Sequence, residues 1–221
     1  VNKLKFDSED FDKDYFQNGI KTGKSLYDRY RWLPELSMSM AMSMIDYLGI
    51  KKENTILDYG CSRGYLVKAM RLLHRKAYGV DISEYAIGNC DDDVIDYLRL
   101  IIDEDGSIPF NIPFDFGISK DVMEHSPYEH IDFIFEQLSK HCRNLFIVVP
   151  LGDNGKYRIP QYELDSTHLI RENDDWWAQK MGQFFTDLVV QDHISGIKDN
   201  WYDVNPKGNV CIFGKSSNVS S

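Results

Sequence analysis

Apolar and polar positions alternate along the chain in blocks whose period changes from one block to the next. Residues 55–59 are a short apolar run that breaks at Gly60. After Gly64 the apolar residues return as Leu66, Val67, Met70, Leu72 and Leu73, the spacing of a helix face. This predicts a buried strand, a tight glycine turn and a helix over residues 64–74. Further strands are expected at residues 77–81, 97–102, 114–119 and 145–149, the last stopped by Pro150. Between them a short helix runs from a Ser83 cap to about Cys90, and a longer one spans residues 127–141 with Ser126 as its cap. Beyond Pro150 comes an irregular stretch, residues 151–171, then an amphipathic helix at 174–188. Strands at 189–194 and 210–214 follow, close enough to pair antiparallel across the loop 195–209.

Strands alternating with helices at this spacing imply an α/β fold: a Rossmann-like, mostly parallel seven-stranded sheet with helices on both faces. A C-terminal antiparallel strand pair and N-terminal helices complete it. Residues 1–32 mix acids with Phe11, Tyr15, Phe16, Tyr27, Tyr30 and Trp32, too many aromatics for a solvated tail. A turn is expected at the end of residues 14–19, and residues 25–30 can begin a helix. Met38, Met40, Met42 and Met44 alternate as in a strand. The length and the Met/Ala/Leu composition of residues 36–48 instead favour a helix with more than one buried face, its methionines filling core. The resulting division is an N-terminal helical lid over 1–50, a main domain over 51–215 and a polar tail over 216–221.

With 221 residues the chain is most simply a single compact unit around a sizeable core. A net charge of −10 without a block of Lys or Arg argues against nucleic acid as partner. No apolar run approaches the ~18 residues of a membrane span, and the start is polar, so a cytoplasmic protein without membrane contact is expected. The four cysteines lie far apart with no C-x-x-C pair, and His74, His130, His141 and His193 show no ligand spacing. No metal is expected.

Asp58, two residues before Gly60, would face a pyrophosphate badly and suits a ligand with a positive end. Here the stretch Asp58-Tyr59-Gly60-Cys61-Ser62-Arg63-Gly64 resembles the first motif of the class I S-adenosylmethionine-dependent methyltransferases, an acid, any residue, then G-C-G-x-G. Ser62 stands where the middle glycine is usual. Residues 114–125, an F-D strand running into Val122-Met123-Glu124-His125, look like the family's fourth-strand motif. The resemblance covers about residues 55–150 and implies S-adenosylmethionine as cofactor and a small-molecule acceptor as partner. It implies cofactor contacts from Asp58, Gly60, Cys61, Ser62 and Gly64. Asp81 and Ile82 would serve the ribose, Asp103 or Glu104 the adenine amino group, and Ser119 and Lys120 the methionine half. A homodimer is left open.

His125 and Glu124 are candidates for a general base, because imidazole titrates near neutral pH. Further along, Asp165-Ser166-Thr167-His168 followed by Trp176-Trp177 resembles a pattern in methyltransferases encoded near polysaccharide genes. Asp165 can orient His168 as a base, or the pair can pin a loop by hydrogen bonds. The aromatic and polar residues of 151–171 suit O-methylation of a saccharide-like acceptor. The alternatives are C-methylation of a quinol, a nicotinamide-dependent oxidoreductase and a non-catalytic cofactor-binding relative.

Overall fold

The computed structural model describes residues 8–102 and 107–218. Its first strand, β1 (Thr55–Tyr59), is buried from Ile56 onward. A parallel strand covered on both faces needs an unbroken apolar run, and the two sides of β1 divide accordingly. Ile56 packs into one layer of core and Leu57 into the other.

From β1 the sheet extends one way through β2 (Lys76–Asp81) and β3 (Leu98–Leu100). It extends the other way through β4 (Phe114–Lys120) and β5 (Cys142–Pro150), all four neighbours parallel. A small hairpin follows, β6 (Gly152–Asp153) and β7 (Lys156–Tyr157). Then β8 (Phe185–Gln191) and β9 (Asn209–Ser216) close the sheet antiparallel, giving the order β3-β2-β1-β4-β5-β9-β8. This is the Rossmann-like seven-stranded architecture that the block pattern implies. Chain direction of travel reverses between β1 and β4, so the crevice at their carboxyl ends is where this fold receives ligands.

Helices α1 (Lys13–Thr22) and α2 (Pro34–Leu48) precede the sheet. Between strands lie α3 (Tyr65–Leu72), α4 (Glu84–Gly88) and α5 (Ile131–His141). The last are α6 (Asp174–Met181) and α7 (Asp199–Tyr202). Ala41 and Met44 of α2 pack with Val67 and Met70 of α3 on one sheet face. Ile131, Phe135 and Leu138 of α5 pack with Trp177 and Met181 of α6 on the other.

Several elements depart from the sequence pattern for identifiable reasons. Helix α1 runs through the expected turn, started by the Asp12 carboxylate accepting from Tyr15 N and kinked at Asn18. Residues 25–30 form no helix. Their backbone bonds instead to α1, Tyr27 O accepting from Ile20 N and Tyr30 N donating to Phe16 O, while the Ser25 hydroxyl donates to Tyr15 O. The α2 methionines are not all core: Met44 is buried, Met42 is 59% exposed, and the buried positions Ser37, Ala41 and Met44 mark a single face. Ser126 does not start α5: it ends a 3₁₀ turn, Met123–His125, and a second turn, Tyr128–His130, stands between it and α5. The helix expected at 174–188 ends at Met181. From Phe185 the chain pairs with β9 instead, with a register shift between Thr186 and Val189 and Asp187 in the left-handed region. An edge strand with one buried residue carries too little apolar alternation to be read in advance. Among the described residues, no helix is long and apolar enough to cross a membrane.

Candidate active site

The carboxyl ends of β1, β2 and β4 open into a cavity of about 290 Å³. Asp58 to Ser62, Asp81, Ile82 and Lys120 to Val122 form its base. Phe11, Tyr15, Phe16, Tyr27 and Tyr30 of the N-terminal segment wall one side, and Ser166, Thr167 and Leu169 approach from beyond β7.

The glycine turn explains what kind of ligand this base accepts. Gly60 has φ +79° and Ser62 φ +51°, so the loop folds back on itself. A Cβ on Gly60 would meet the Val122 side chain at 2.4 Å. The loop's N–H groups are turned inward. Gly60 N and Cys61 N donate to Val80 O at 2.8 and 2.9 Å, and Gly64 N donates to Cys61 O at 2.8 Å. Ser62 N donates to Asp81 Oδ2 at 2.6 Å. With these four donors engaged, the turn is not an anion cradle of the P-loop kind. Its exposed chemistry is acidic.

Asp81 is both strut and site. Its second oxygen accepts from Ser83 N at 2.8 Å, and the Ser83 hydroxyl caps α4 through Ala86 N. A carboxylate retains further lone pairs beside two such bonds, so Asp81 can also receive ligand hydroxyls. Burial raises its carboxyl pKa, although backbone donors oppose the shift. Asp58, buried beside it, is pushed up to about 7 by burial first and by Asp81 second, with Lys120 opposing.

The other end of the cavity is built on the two segments after β4 and β7. Asp121, in the left-handed region at φ +57°, is ion-paired with both Lys120 and Lys198. Burial would raise its pKa, but the two ammonium groups hold it well below the usual carboxylate range. Glu124 and His125 follow on the first 3₁₀ turn. The Glu124 carbonyl accepts from Leu169 N at 2.8 Å and Ile170 N at 3.0 Å, clamping the two segments together. His125 Nδ1 meets Thr167 Oγ1 at 2.8 Å, and Thr167 Oγ1 donates to Asp165 Oδ1 at 2.6 Å. Tyr15 OH donates to the other Asp165 oxygen at 3.3 Å. His168 stands behind His125, ring centroids 4.6 Å apart, with Nδ1 on Tyr162 O at 2.9 Å. Burial, then the neighbouring His168, pushes His125 down to about 3; burial also lowers His168 despite Asp165.

A family model described as a methyltransferase domain matches residues 34–217 of this chain. The chain belongs to that methyltransferase family. No curated protein matches it significantly in sequence. Among solved structures it is similar to geranyl diphosphate C-methyltransferase from Streptomyces coelicolor A3(2), in complex with Mg²⁺, geranyl diphosphate and S-adenosyl-L-homocysteine. That likeness has TM-score 0.58 and 15% identity, covering 83% of this chain and 82% of that chain. It is also similar to a SAM dependent methyltransferase from Archaeoglobus fulgidus, with TM-score 0.55, 17% identity and coverage of 83% and 97%. A third is phosphoethanolamine N-methyltransferase 2 of Haemonchus contortus, in complex with phosphomonomethylethanolamine and S-adenosylhomocysteine. There the TM-score is 0.58 at 16% identity, covering 80% of this chain and 52% of that chain. At these identities the likeness shows the fold.

In this methyltransferase the residues singled out in the sequence divide into three groups. Asp58, Gly60, Cys61, Ser62, Asp81, Ile82, Lys120 and His125 line the cavity. Gly64, Ser119, Asp165 and His168 do not line it. Gly64 begins α3 at φ +76°, and Ser119 is buried at 1% exposure. Of the two readings open for the pair, the hydrogen bonds match the pinned loop: the Asp165 carboxylate bonds to Thr167 and Tyr15, and His168 Nδ1 to Tyr162 O. Asp103 and Glu104 lie outside the described residues. Of the tryptophans, Trp177 is core, whereas Trp176 packs on Tyr128 outside the cavity. Thr167 is the residue that sequence reasoning passed over. It sits within the same four-residue stretch, but a hydroxyl that relays between a carboxylate and an imidazole has no spacing of its own.

Proposed function

We propose that this methyltransferase transfers the methyl of S-adenosylmethionine to a hydroxyl of a small, neutral, polyhydroxylated acceptor of saccharide type. The observation that carries this reading is the lining of the cavity. Asp10, Asp58 and Asp81 bring three carboxylates to it, while Asp121 is matched by the ammonium groups of Lys120 and Lys198. Such a lining repels a diphosphate or phosphomonoester of the kind bound by two of the similar structures. Aromatic faces from Tyr15, Tyr27 and Tyr30 beside Ser126, Ser166 and Thr167 suit a ring with many hydroxyls. They suit an isoprenoid quinol less.

The residues present fit S-adenosylmethionine. Asp81 has lone pairs for the ribose hydroxyls, Asp58 and Asp81 offer negative charge to a cationic ligand, and the engaged loop N–H groups leave no cradle for a pyrophosphate. The last point also weighs against a nicotinamide dinucleotide. When bound, S-adenosylmethionine supplies a methyl group already activated on a sulfonium. The protein's part is to hold the acceptor in line, exclude water with the N-terminal aromatics and receive the acceptor's hydroxyl at the His125 end. Burial keeps His125 neutral, so its free lone pair remains an acceptor throughout the neutral range.

Incubation with methyl-labelled S-adenosylmethionine and a panel of sugars, quinols and amines tests the reading. A labelled methyl ether on a sugar is expected, and label confined to carbon or nitrogen products would overturn it. Two further results are expected at the cofactor end. Asp81→Ala should weaken S-adenosylhomocysteine binding by roughly 10- to 100-fold, the scale of a lost charge-assisted hydrogen bond. Unchanged affinity in a folded variant would remove Asp81 from the site. Because Asp58 titrates near 7 in the free protein and a cationic ligand favours its ionised form, S-adenosylmethionine should bind more tightly as pH rises. Calorimetry should show about tenfold weaker binding at pH 6 than at pH 8, levelling above that. A flat profile would show that Asp58 does not meet the ligand's charge.

A further inference from the structure

The clamp between the two segments brings together three side chains far apart in function so far: Glu124, His125 and His168. One ligand atom from each lies within 4.8 Å of the other two. Glu124 is 1% exposed, and its Oε2 is buried without a hydrogen-bond partner. A carboxylate oxygen left bare in this way is costly unless a proton or a cation meets it. Lys120 and Lys198 are already ion-paired with Asp121.

The hydrogen bonds around the two imidazoles decide which nitrogen each has to offer. Tyr162 O can only accept, so His168 Nδ1 carries the proton there and Nε2 keeps its lone pair. Asp165 accepts from Thr167 N, from the Thr167 hydroxyl and from Tyr15 OH. With its proton committed to Asp165, Thr167 Oγ1 accepts from His125 Nδ1, and His125 Nε2 likewise keeps its lone pair. A ring N–H held by a main-chain carbonyl in one case, and by a hydroxyl–carboxylate pair in the other, is the outer-shell arrangement that orients metal-binding histidines.

We propose that Glu124, His125 and His168 bind one first-row divalent metal ion, of which zinc is the test case, at the acceptor end of the cavity. Two imidazoles and one carboxylate form a donor set suited to zinc or iron(II) and poorly suited to magnesium or calcium, which favour oxygen donors. Ligands of a tetrahedral zinc stand about 3.3 Å apart, so binding would draw the three side chains slightly inward. Three protein donors leave a coordination position open, and His125, one of the three, lines the cavity. The role of the ion rests on the acceptor reading above: it would meet the acceptor's oxygen in place of the His125 lone pair and acidify the hydroxyl, whose proton leaves to water as the methyl is transferred. This supplies what buried rings of low basicity lack.

The test uses the full chain, stripped with a chelator and titrated with Co²⁺ and then Zn²⁺. One equivalent of Co²⁺ should bind with visible d–d absorption, and Zn²⁺ should displace it. Glu124→Gln and His168→Asn should each weaken Co²⁺ binding by more than about 100-fold, beyond the usual effect of losing an outer-shell partner. Their S-adenosylhomocysteine-induced melting shift reports that they fold. Should either variant not fold, zinc-edge X-ray absorption of the unaltered protein decides. Outer-shell scattering from two imidazoles supports the site, and one or none overturns it. Absence of saturable Co²⁺ binding, or unchanged affinity in both folded variants, also overturns it. The failure of this inference is distinct from failure of the acceptor reading. Stripped protein that binds no Co²⁺ yet methylates a sugar hydroxyl at an undiminished rate removes the ion and keeps the acceptor. One-equivalent binding at the trio without hydroxyl methylation keeps the ion and removes the acceptor.

Discussion

His125→Ala should lower methyl transfer by about two to four orders of magnitude while leaving S-adenosylhomocysteine affinity within a few-fold of the unaltered protein. The separation follows from geometry. His125 lines the cavity at the Thr167 end, whereas the acids Asp58 and Asp81 sit at the ends of β1 and β2. The pH dependence of the loss is equally specific. An ordinary imidazole with pKa ~6.5 would be protonated in acid, so the gap between variant and unaltered protein would narrow below pH 6. Burial holds His125 down at about 3, so the gap should stay level from pH 8 to pH 5. Single-turnover rates across that range check it. If His168 acts only by backing His125 at 4.6 Å, His168→Ala should give a smaller loss of the same flat form, whereas a loss as large as that of His125→Ala is the mark of a shared metal ion. Near-normal turnover in a folded His125→Ala protein would reduce the Asp165–Thr167–His125 chain to a structural clasp.

The parts of this protein that sequence makes legible are those whose cause is local. A strand over residues 55–59, a turn with Gly60 and Gly64, and the Ser83 cap each depend on residues a few positions apart, and each was found where expected. The direction of the loop N–H groups was not legible, because it depends on Val80 O arriving from the neighbouring strand. The acceptor end shows the same limit more sharply. Asp165 and His168 are conspicuous in the sequence, yet Tyr15 reaches Asp165 across 150 positions and His125 reaches Thr167 across 42. Those separations decide that Asp165 serves His125 through Thr167 instead of orienting His168. Residues 25–30 illustrate the converse. Their composition permits a helix, but backbone pairing with α1 satisfies the same donors and acceptors. Local propensity is overruled wherever tertiary partners offer equivalent hydrogen bonds.

Removing residues 1–32 should weaken S-adenosylhomocysteine binding by about tenfold or more and lower turnover by at least about two orders of magnitude, without unfolding the sheet. The family match begins at residue 34, the first residue of α2, so the buried residues of the core packed on α2 are retained in such a truncation, which takes from it the half-buried Trp32. What is lost is a wall. Phe11, Tyr15, Phe16, Tyr27 and Tyr30 line the cavity, and Tyr15 and Phe16 are themselves buried. The segment is fastened to the site by hydrogen bonds at three points. Phe11 O accepts from Ser83 Oγ at the α4 cap, and Tyr30 O accepts from Arg63 Nη1 on the glycine turn. Lys24 O accepts from Ser166 N beside the Asp165–Thr167 pair. A cover attached at these three points excludes water from the reacting groups only while it is in place, which is how lids contribute to catalysis. Circular dichroism and thermal melts establish that the truncated protein folds, calorimetry gives its affinity, and labelled S-adenosylmethionine gives its rate. If deletion leaves both affinity and rate intact, these aromatics pack only against one another, and the cavity needs no lid.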